Sequence, residues 1–319
     1  MKLRCAILDD YQKVALEVTD WSVLQDRVEL ESIHEHIQTE EELVRRLASY
    51  DILVIMRERT PFRASLLARL PRLKLLVTTG LRNASIDLAA AASHGVTVCG
   101  TPGHSEPPVE LTWALLLGLA RHVADEHQAL RAGGPWQTTV GTDLYGKRLG
   151  LLGLGKIGSR VARIGQAFGM EVMAWSQNLT EDKAAEQGVM LAGSKEELLE
   201  GSDFVSIHVV LSDRTRGLVG EAELQRMRST AYLINTSRAA IVDQTALAKA
   251  LMNGWIAGAG LDVFDIEPLP QDHPYRSLPR VLTTPHLGYV TRRNYETFYR
   301  GAVEDIQAFL EGAPIRMLN

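Results

Sequence analysis

The turn at residues 149–158, LGLLGLGKIG, restricts the fold more than any other stretch of the chain. An apolar run reaches Leu152, and Gly153, Gly155 and Gly158 follow in the spacing G-x-G-x-x-G. Ile157, Val161, Ile164 and Phe168 then recur at helical spacing, and EVMAWS at 171–176 reads as another strand. Strand, glycine turn, helix and strand in that order make a βαβ unit. The first glycine permits the tight turn, the next lets the backbone approach a pyrophosphate, and the last lets helix and strand pack closely. The helix N-terminus then faces the phosphate charge with its free N–H groups. A dinucleotide site is therefore expected on Gly153, Leu154, Gly155, Lys156, Ile157 and Gly158.

Which dinucleotide is left open. A unit that binds NAD usually carries Asp or Glu at the end of the second strand, about twenty residues on, to hold the ribose hydroxyls. That position is Ser176 here, followed by Gln177 and Asn178. No carboxylate repels a 2′-phosphate and no arginine attracts one, so these three residues are expected at the ribose of either NAD or NADP.

The first hundred residues alternate strand-like runs (Cys5–Leu8, Val28–Ser32, Ile52–Met56, Leu73–Thr78, Val96–Cys99) with helical segments. Thr39 is a helix N-cap with Glu42 at the capping-box position, and Gly95 closes the helix over Asp87–His94. A second series begins near Leu149, with strands at 149–153, 171–175, 203–208, 231–236, 256–263 and 281–285. Such alternation predicts two doubly wound parallel-sheet α/β domains. We expect a discontinuous, flavodoxin-like substrate domain over 1–100 and 287–319, and a Rossmann nucleotide domain over 101–286. The segment Arg292–Glu311 places Tyr295, Tyr299, Ala302, Ile306 and Phe309 on one helical stripe, expected to pack back on the first domain. Val109–His122 is apolar almost all round, so it needs burial on every side. A subunit interface is the expectation, giving a homodimer through helix 109–122.

Composition excludes several classes of partner. Net charge is −5 from 34 basic and 39 acidic residues, which gives no footprint for nucleic acid. The apolar stretch from Leu111 to Ala120 is too short to span a bilayer, and MKLRCAILDDYQ reads as a first strand rather than a secretory leader. The two cysteines, Cys5 and Cys99, sit in apolar strand-like runs and fit reduced thiols in the cytoplasm. No metal site, membrane partner or added regulatory domain is expected.

Three polar signatures end late apolar strands: LINTSRAAIVD at 233–243, GLDVFDIEP at 260–268 and TTPHLGY at 283–289. With GLGKIG, LPRLKLLVTTG, IDLAAAASHGVTVCGTPG and SDFVSIH, they resemble the D-isomer-specific 2-hydroxyacid dehydrogenase family along essentially the whole chain. The resemblance implies hydride exchange between a nicotinamide cofactor and a small 2-keto or D-2-hydroxy acid. It implies Arg238 as the carboxylate and carbonyl grip, His286 as general acid and base, and Glu267 as the carboxylate orienting that histidine. Asp262 matches the residue near the nicotinamide carboxamide, and Thr236, Ser237, Arg238, His286 and His208 fall beside the cofactor; for His208 a packed strand-end histidine is the stronger alternative. The loop Thr79-Gly80-Leu81 matches the one that presents backbone amides to the substrate carboxylate. Arg57 and Arg59 face the same cleft in this comparison, with Arg82 nearby and solvated surface charge as the alternative reading.

The chain departs from the family at Pro107-Pro108, at Val210 and at Ala239, none of which removes a chemical group. A nucleotide-sensing binding module of the same fold is the alternative, disfavoured by Arg238, Glu267 and His286 occurring together. A formate dehydrogenase branch would carry glutamine at position 267, and ranks lower still.

Overall fold

The computed structural model describes residues 2–319, in which every strand pair of the two sheets is parallel. In chain order the first elements are β1 (Leu3–Ile7), β2 (Val28–Ser32), α1 (Glu40–Leu47), β3 (Ile52–Ile55), α2 (Ala64–Leu67), β4 (Leu75–Thr78), α3 (Leu88–Ser93) and β5 (Thr97–Gly100). Their sheet order is β2-β1-β3-β4-β5. β3 (ILVI) and β4 (LLVT) are buried at every residue, as strands covered on both faces must be, which is why they lack alternation. The Thr39 side chain accepts the Glu42 N–H at 3.2 Å, so α1 starts where its cap predicts.

Next come α4 (Glu106–Ala120), α5 (Val123–Arg131), β6 (Arg148–Leu152), α6 (Gly158–Ala167), β7 (Glu171–Trp175), α7 (Glu181–Ala185) and β8 (Met190–Leu191). They are followed by α8 (Lys195–Gly201), β9 (Phe204–Ile207), α9 (Glu221–Arg226), β10 (Tyr232–Asn235), α10 (Gln244–Met252), β11 (Gly258–Leu261) and β12 (Val281–Thr283). The sheet runs β12-β11-β10-β9-β6-β7-β8, so strand order reverses between β6 and β9, where doubly wound sheets place their ligands. The last helix, α11 (Arg292–Leu310), packs on β4 and β5 of the first sheet, burying Tyr295, Tyr299, Ala302 and Ile306.

Two compact units result: the chain up to His104 with Val290–Asn319, and Ser105–Tyr289. Residues 101–104 stay with the first because the His104 N–H donates to Asn294 at 3.0 Å and its Nε2 meets the Thr297 hydroxyl at 2.9 Å.

Three elements differ from expectation. The apolar helix begins at Glu106, not Val109, with Pro107 and Pro108 inside its first turn. Proline is tolerated there because a first-turn N–H has no acceptor within the helix. That helix packs on β10, β11, β12 and α6, leaving only Glu110 and Ala114 along 106–120 exposed, so its own domain accounts for its apolar character. α5 and β8 carry no periodic signal: α5 buries none of its residues, and β8 pairs only two with β7.

Candidate active site

The glycine turn follows β6 directly. Gly153 takes φ of +103°, and a Cβ there would lie 2.8 Å from the His208 backbone; a Cβ on Gly158 would strike the Gly153 carbonyl at 2.1 Å. Both positions are closed to any side chain. A Cβ on Gly155, by contrast, would meet nothing within 4 Å, so open space lies over the turn. α6 starts without a side-chain cap, and its Ser159 and Arg160 amides turn back to the Gly155 and Ile157 carbonyls at 2.9 and 3.0 Å, so it is the glycine turn ahead of the helix that faces the open space. These residues fit a dinucleotide pyrophosphate. Ser176, Gln177 and Asn178 form the turn after β7, closed by the Leu179 N–H on the Ser176 carbonyl at 3.1 Å.

His208 ends β9 beside this turn, its Nε2 at 2.9 Å from the buried Ser206 hydroxyl. Burial pushes the imidazole down to about 4, so it is neutral near pH 7.

The other polar signatures follow β10, β11 and β12, three neighbours in the sheet. After β10, the Asn235 side chain organises the turn: Oδ1 accepts the Ser237 N–H and Nδ2 donates to the Arg238 carbonyl, each at 3.0 Å. The Arg238 Nη1 donates to the Ser237 carbonyl at 2.7 Å, and the Thr236 hydroxyl meets Thr112 of α4 at 2.8 Å. After β12 stands His286, with Nδ1 at 2.6 Å from Glu267 Oε2. Glu267 Oε1 in turn accepts the Phe264 N–H at 2.9 Å. With Nδ1 so engaged, Nε2 is the nitrogen left for proton exchange. Asp262, fully buried after β11, turns its carboxylate to the loop carrying His286. Burial raises its carboxyl above the ordinary aspartate range, against the Thr284, Leu287 and Gly288 donors and the nearby His286.

In the first unit, Arg57 has a left-handed backbone (φ 51°), held by its N–H on the Thr79 hydroxyl at 2.9 Å and the Asn83 amide on its carbonyl at 2.7 Å. Its guanidinium lies across Gly80, where a Cβ would stand 1.8 Å from Nη1. The Gly80 N–H donates to the Thr101 hydroxyl at 3.2 Å, and the Leu81 side chain is exposed. Arg59 donates to the Asp9 carbonyl at 2.9 Å and lies over the Tyr11 ring. Sequence reasoning missed the supports: Asn235, Asn83 and the loop-facing use of Asp262. An Asn directly before T-S-R was the only available hint, since side chains of this type bond nearby turn backbone.

The family model described as the D-isomer specific 2-hydroxyacid dehydrogenase, NAD binding domain, matches residues 113–288. A glyoxylate reductase of Aeropyrum pernix is 42% identical over 264 residues, covering 80% of this chain and 78% of that one. D-3-phosphoglycerate dehydrogenase of Bacillus subtilis is 36% identical over 84% of this chain, which spans 51% of that longer protein. A solved phosphoglycerate oxidoreductase of Vibrio cholerae superposes with a TM-score of 0.93 at 38% identity, covering 98% of this chain and 100% of that one. The chain belongs to the D-isomer-specific 2-hydroxyacid dehydrogenase family. It is a nicotinamide-dependent oxidoreductase acting on 2-hydroxy acids.

Proposed function

We propose that this enzyme interconverts a small 2-keto acid and its D-2-hydroxy acid, with His286 as acid and base, Glu267 as its partner and Arg238 on the substrate carboxylate. The observation that carries the reading is the 2.6 Å contact between His286 Nδ1 and Glu267, at a strand end of the nucleotide-binding fold. NAD or NADP, held by residues 153–158, 176–178 and the neighbouring strand ends, supplies or accepts the hydride when bound. In reduction, the His286 imidazolium gives its Nε2 proton to the carbonyl oxygen as that oxygen gains charge; in oxidation, the neutral ring takes the hydroxyl proton. Glu267 stabilises the imidazolium and fixes the ring. The planar Arg238 fork can pair with both carboxylate oxygens, which a lysine cannot reproduce.

The unit containing Ser105–Tyr289 is assigned as the nucleotide domain and the other as the substrate domain. In the latter, Arg57 and the Thr79–Leu81 loop are proposed to receive the anionic substrate. Because the Gly80 amide is engaged by Thr101 and the Arg57 guanidinium covers Gly80, Arg57 is the stronger donor of the set. A cytoplasmic setting fits the two buried free thiols, and among the described residues no helix is long and apolar enough to cross a membrane.

The test is a panel of 2-keto acids, including glyoxylate and hydroxypyruvate, run with NADH and NADPH while following the nicotinamide absorbance. Turnover of at least one, with kcat reduced about 10²–10⁴-fold in His286→Ala and nucleotide affinity retained, is the expected result. An intact rate in that variant would remove His286 as the proton donor.

A further inference from the structure

Arg57 follows β3 in a left-handed conformation, and the chain turns at once: the Arg59 N–H closes on the Met56 carbonyl at 3.2 Å. Successive side chains of an extended strand point to opposite faces. In this turn they meet instead, and Glu58 Oε2 lies 3.7 Å from Arg57 Nε. The Arg57 and Glu58 side chains are only 24% and 22% exposed, so solvent screens their attraction in part. Arg57 Nη1 is engaged by the Thr79 carbonyl at 3.3 Å, and Nη2 has no partner among the described residues. The guanidinium thus keeps donors for an anion, with a carboxylate fixed beside them. Arg59 is drawn onto the Asp9 carbonyl and the Tyr11 ring, and Arg82 is exposed, where its charge is screened.

We propose that Glu58 sets the charge of the acid this enzyme accepts. By countering the Arg57 guanidinium it admits a 2-keto acid with one carboxylate and turns away one carrying a second anionic group, such as a phosphate monoester. The inference rests on Arg57 receiving the anionic substrate. A single carboxylate needs the donors of Arg57, which Glu58 leaves in place. A second anion needs uncompensated positive charge, and at Arg57 it would lie against the Glu58 carboxylate. Like charges a few ångströms apart in a partly buried setting repel strongly. Discrimination of this kind comes from the repulsive group as much as from the attractive one.

Hydroxypyruvate and its 3-phosphate differ only in the second anionic group, and they make the test. Wild type is expected to reduce hydroxypyruvate with the higher kcat/KM. Glu58→Gln keeps the shape of the side chain and removes its charge. It should raise the kcat/KM ratio of phosphate to parent about tenfold or more, whereas Glu58→Asp should hold that ratio within about threefold of wild type. In an Arg57→Met background, Glu58→Gln should move the ratio by less than about threefold. An unchanged ratio in Glu58→Gln, or a wild type that prefers the phosphate, would overturn the proposal. A second readout needs no hydride: calorimetric Kd values of the two acids, measured with oxidised dinucleotide bound, should show the same shift. If no 2-keto acid is reduced, the functional reading fails and these Kd values still decide the role of Glu58. Equal Kd ratios in wild type and Glu58→Gln, or a phosphate that stays unbound in Glu58→Gln, would count against it decisively.

Discussion

A hydroxyl at Ser176 ends β7 where a carboxylate would discriminate between cofactors. The structure adds a tight turn, closed from Leu179 onto the Ser176 carbonyl, so side chains at 176–178 are presented from a fixed backbone. Ser176→Asp is expected to shift the NAD/NADP preference toward NAD by about tenfold or more, because the new charge repels a 2′-phosphate. Relative kcat/KM for the two cofactors measures it, and an unchanged ratio would place selectivity elsewhere. Asp305 offers a different residue-scale test. It is fully buried against the Arg316 guanidinium (2.9 Å), with its Oδ2 lacking a hydrogen-bond partner among the described residues. Burial pushes its carboxyl up to about 7, with Glu304 adding to the rise and Arg316 opposing it. Between the ordinary aspartate value and that one, the folded chain keeps a proton that the unfolded chain has released. Acidification through this window therefore favours folding, and the contribution is lost as pH rises. His208 works in the opposite sense, since its depressed value makes the unfolded chain take up the proton first as pH falls below the usual histidine range. Comparing wild type with Asp305→Asn isolates the aspartate. Wild type should gain about 1–3 kcal/mol on the variant between pH 8 and pH 5 in denaturant melts.

At the scale of elements, the edge of the first sheet is closed by a segment with no strand signal. Residues 316–318 run antiparallel to β5: the Gly100 N–H reaches the Arg316 carbonyl at 3.1 Å, and the Leu318 N–H reaches the Val98 carbonyl at 2.8 Å. Asn319 completes the pairing with its side chain, accepting the Val98 N–H at 2.9 Å and donating to the Val96 carbonyl at 2.8 Å. Residues 96, 98 and 100 present their polar groups on this side because alternate residues of β5 bond β4 on the other. Removing 316–319 opens these groups and strips Leu318 from the core beneath it. The expected cost is about 2–5 kcal/mol, with hydrogen exchange at the Val98 and Gly100 amides accelerated to the rate of the least protected strand. Unchanged exchange would mean that β5 does not depend on this cover.

For the molecule as a whole, the apolar surface concentrates after α4. Val123, Leu130, Trp136, Val140 and Tyr145 are 57%, 56%, 80%, 94% and 82% exposed, and α5 has no buried residue. A nine-residue helix without a buried face is marginal in water, so this region is where a second copy is proposed to bind beside the outward Glu110 and Ala114 of helix 109–122. Light scattering is expected to give the mass of two chains, and Leu130→Glu with Trp136→Glu the mass of one. A wild-type monomer would refute the dimer. The expected grounds were different: the apolar character of helix 109–122 is explained within its own domain, and the exposed segment beyond it now carries the proposal.

What could be read directly from the chain was whatever is encoded locally. Gly153, Gly155 and Gly158 in their spacing, the unbroken apolar runs of β3 and β4, the Thr39 cap and the tyrosine stripe of α11 each reflect backbone sterics or burial within a few residues. His286 and Glu267 were legible by resemblance, and the turns after their strands bring them to 2.6 Å. β8 and α5 were not legible, because two residues of edge pairing and a solvent-facing helix leave no periodicity. The supports were invisible for another reason. Asp262 meets partners 22 to 26 residues away, and the Asn319 side chain meets Val98 across 221 residues. Sequence by itself determined a doubly wound chain with a tight glycine turn after β6, since strand period and glycine freedom are properties of short segments. Tertiary structure alone decided that Asp262 turns to the loop, that Arg57 lies over Gly80, and that residues 316–319 close the first sheet's edge. Those choices follow from which strands lie side by side, and only the folded sheet order brings such distant groups within bonding distance.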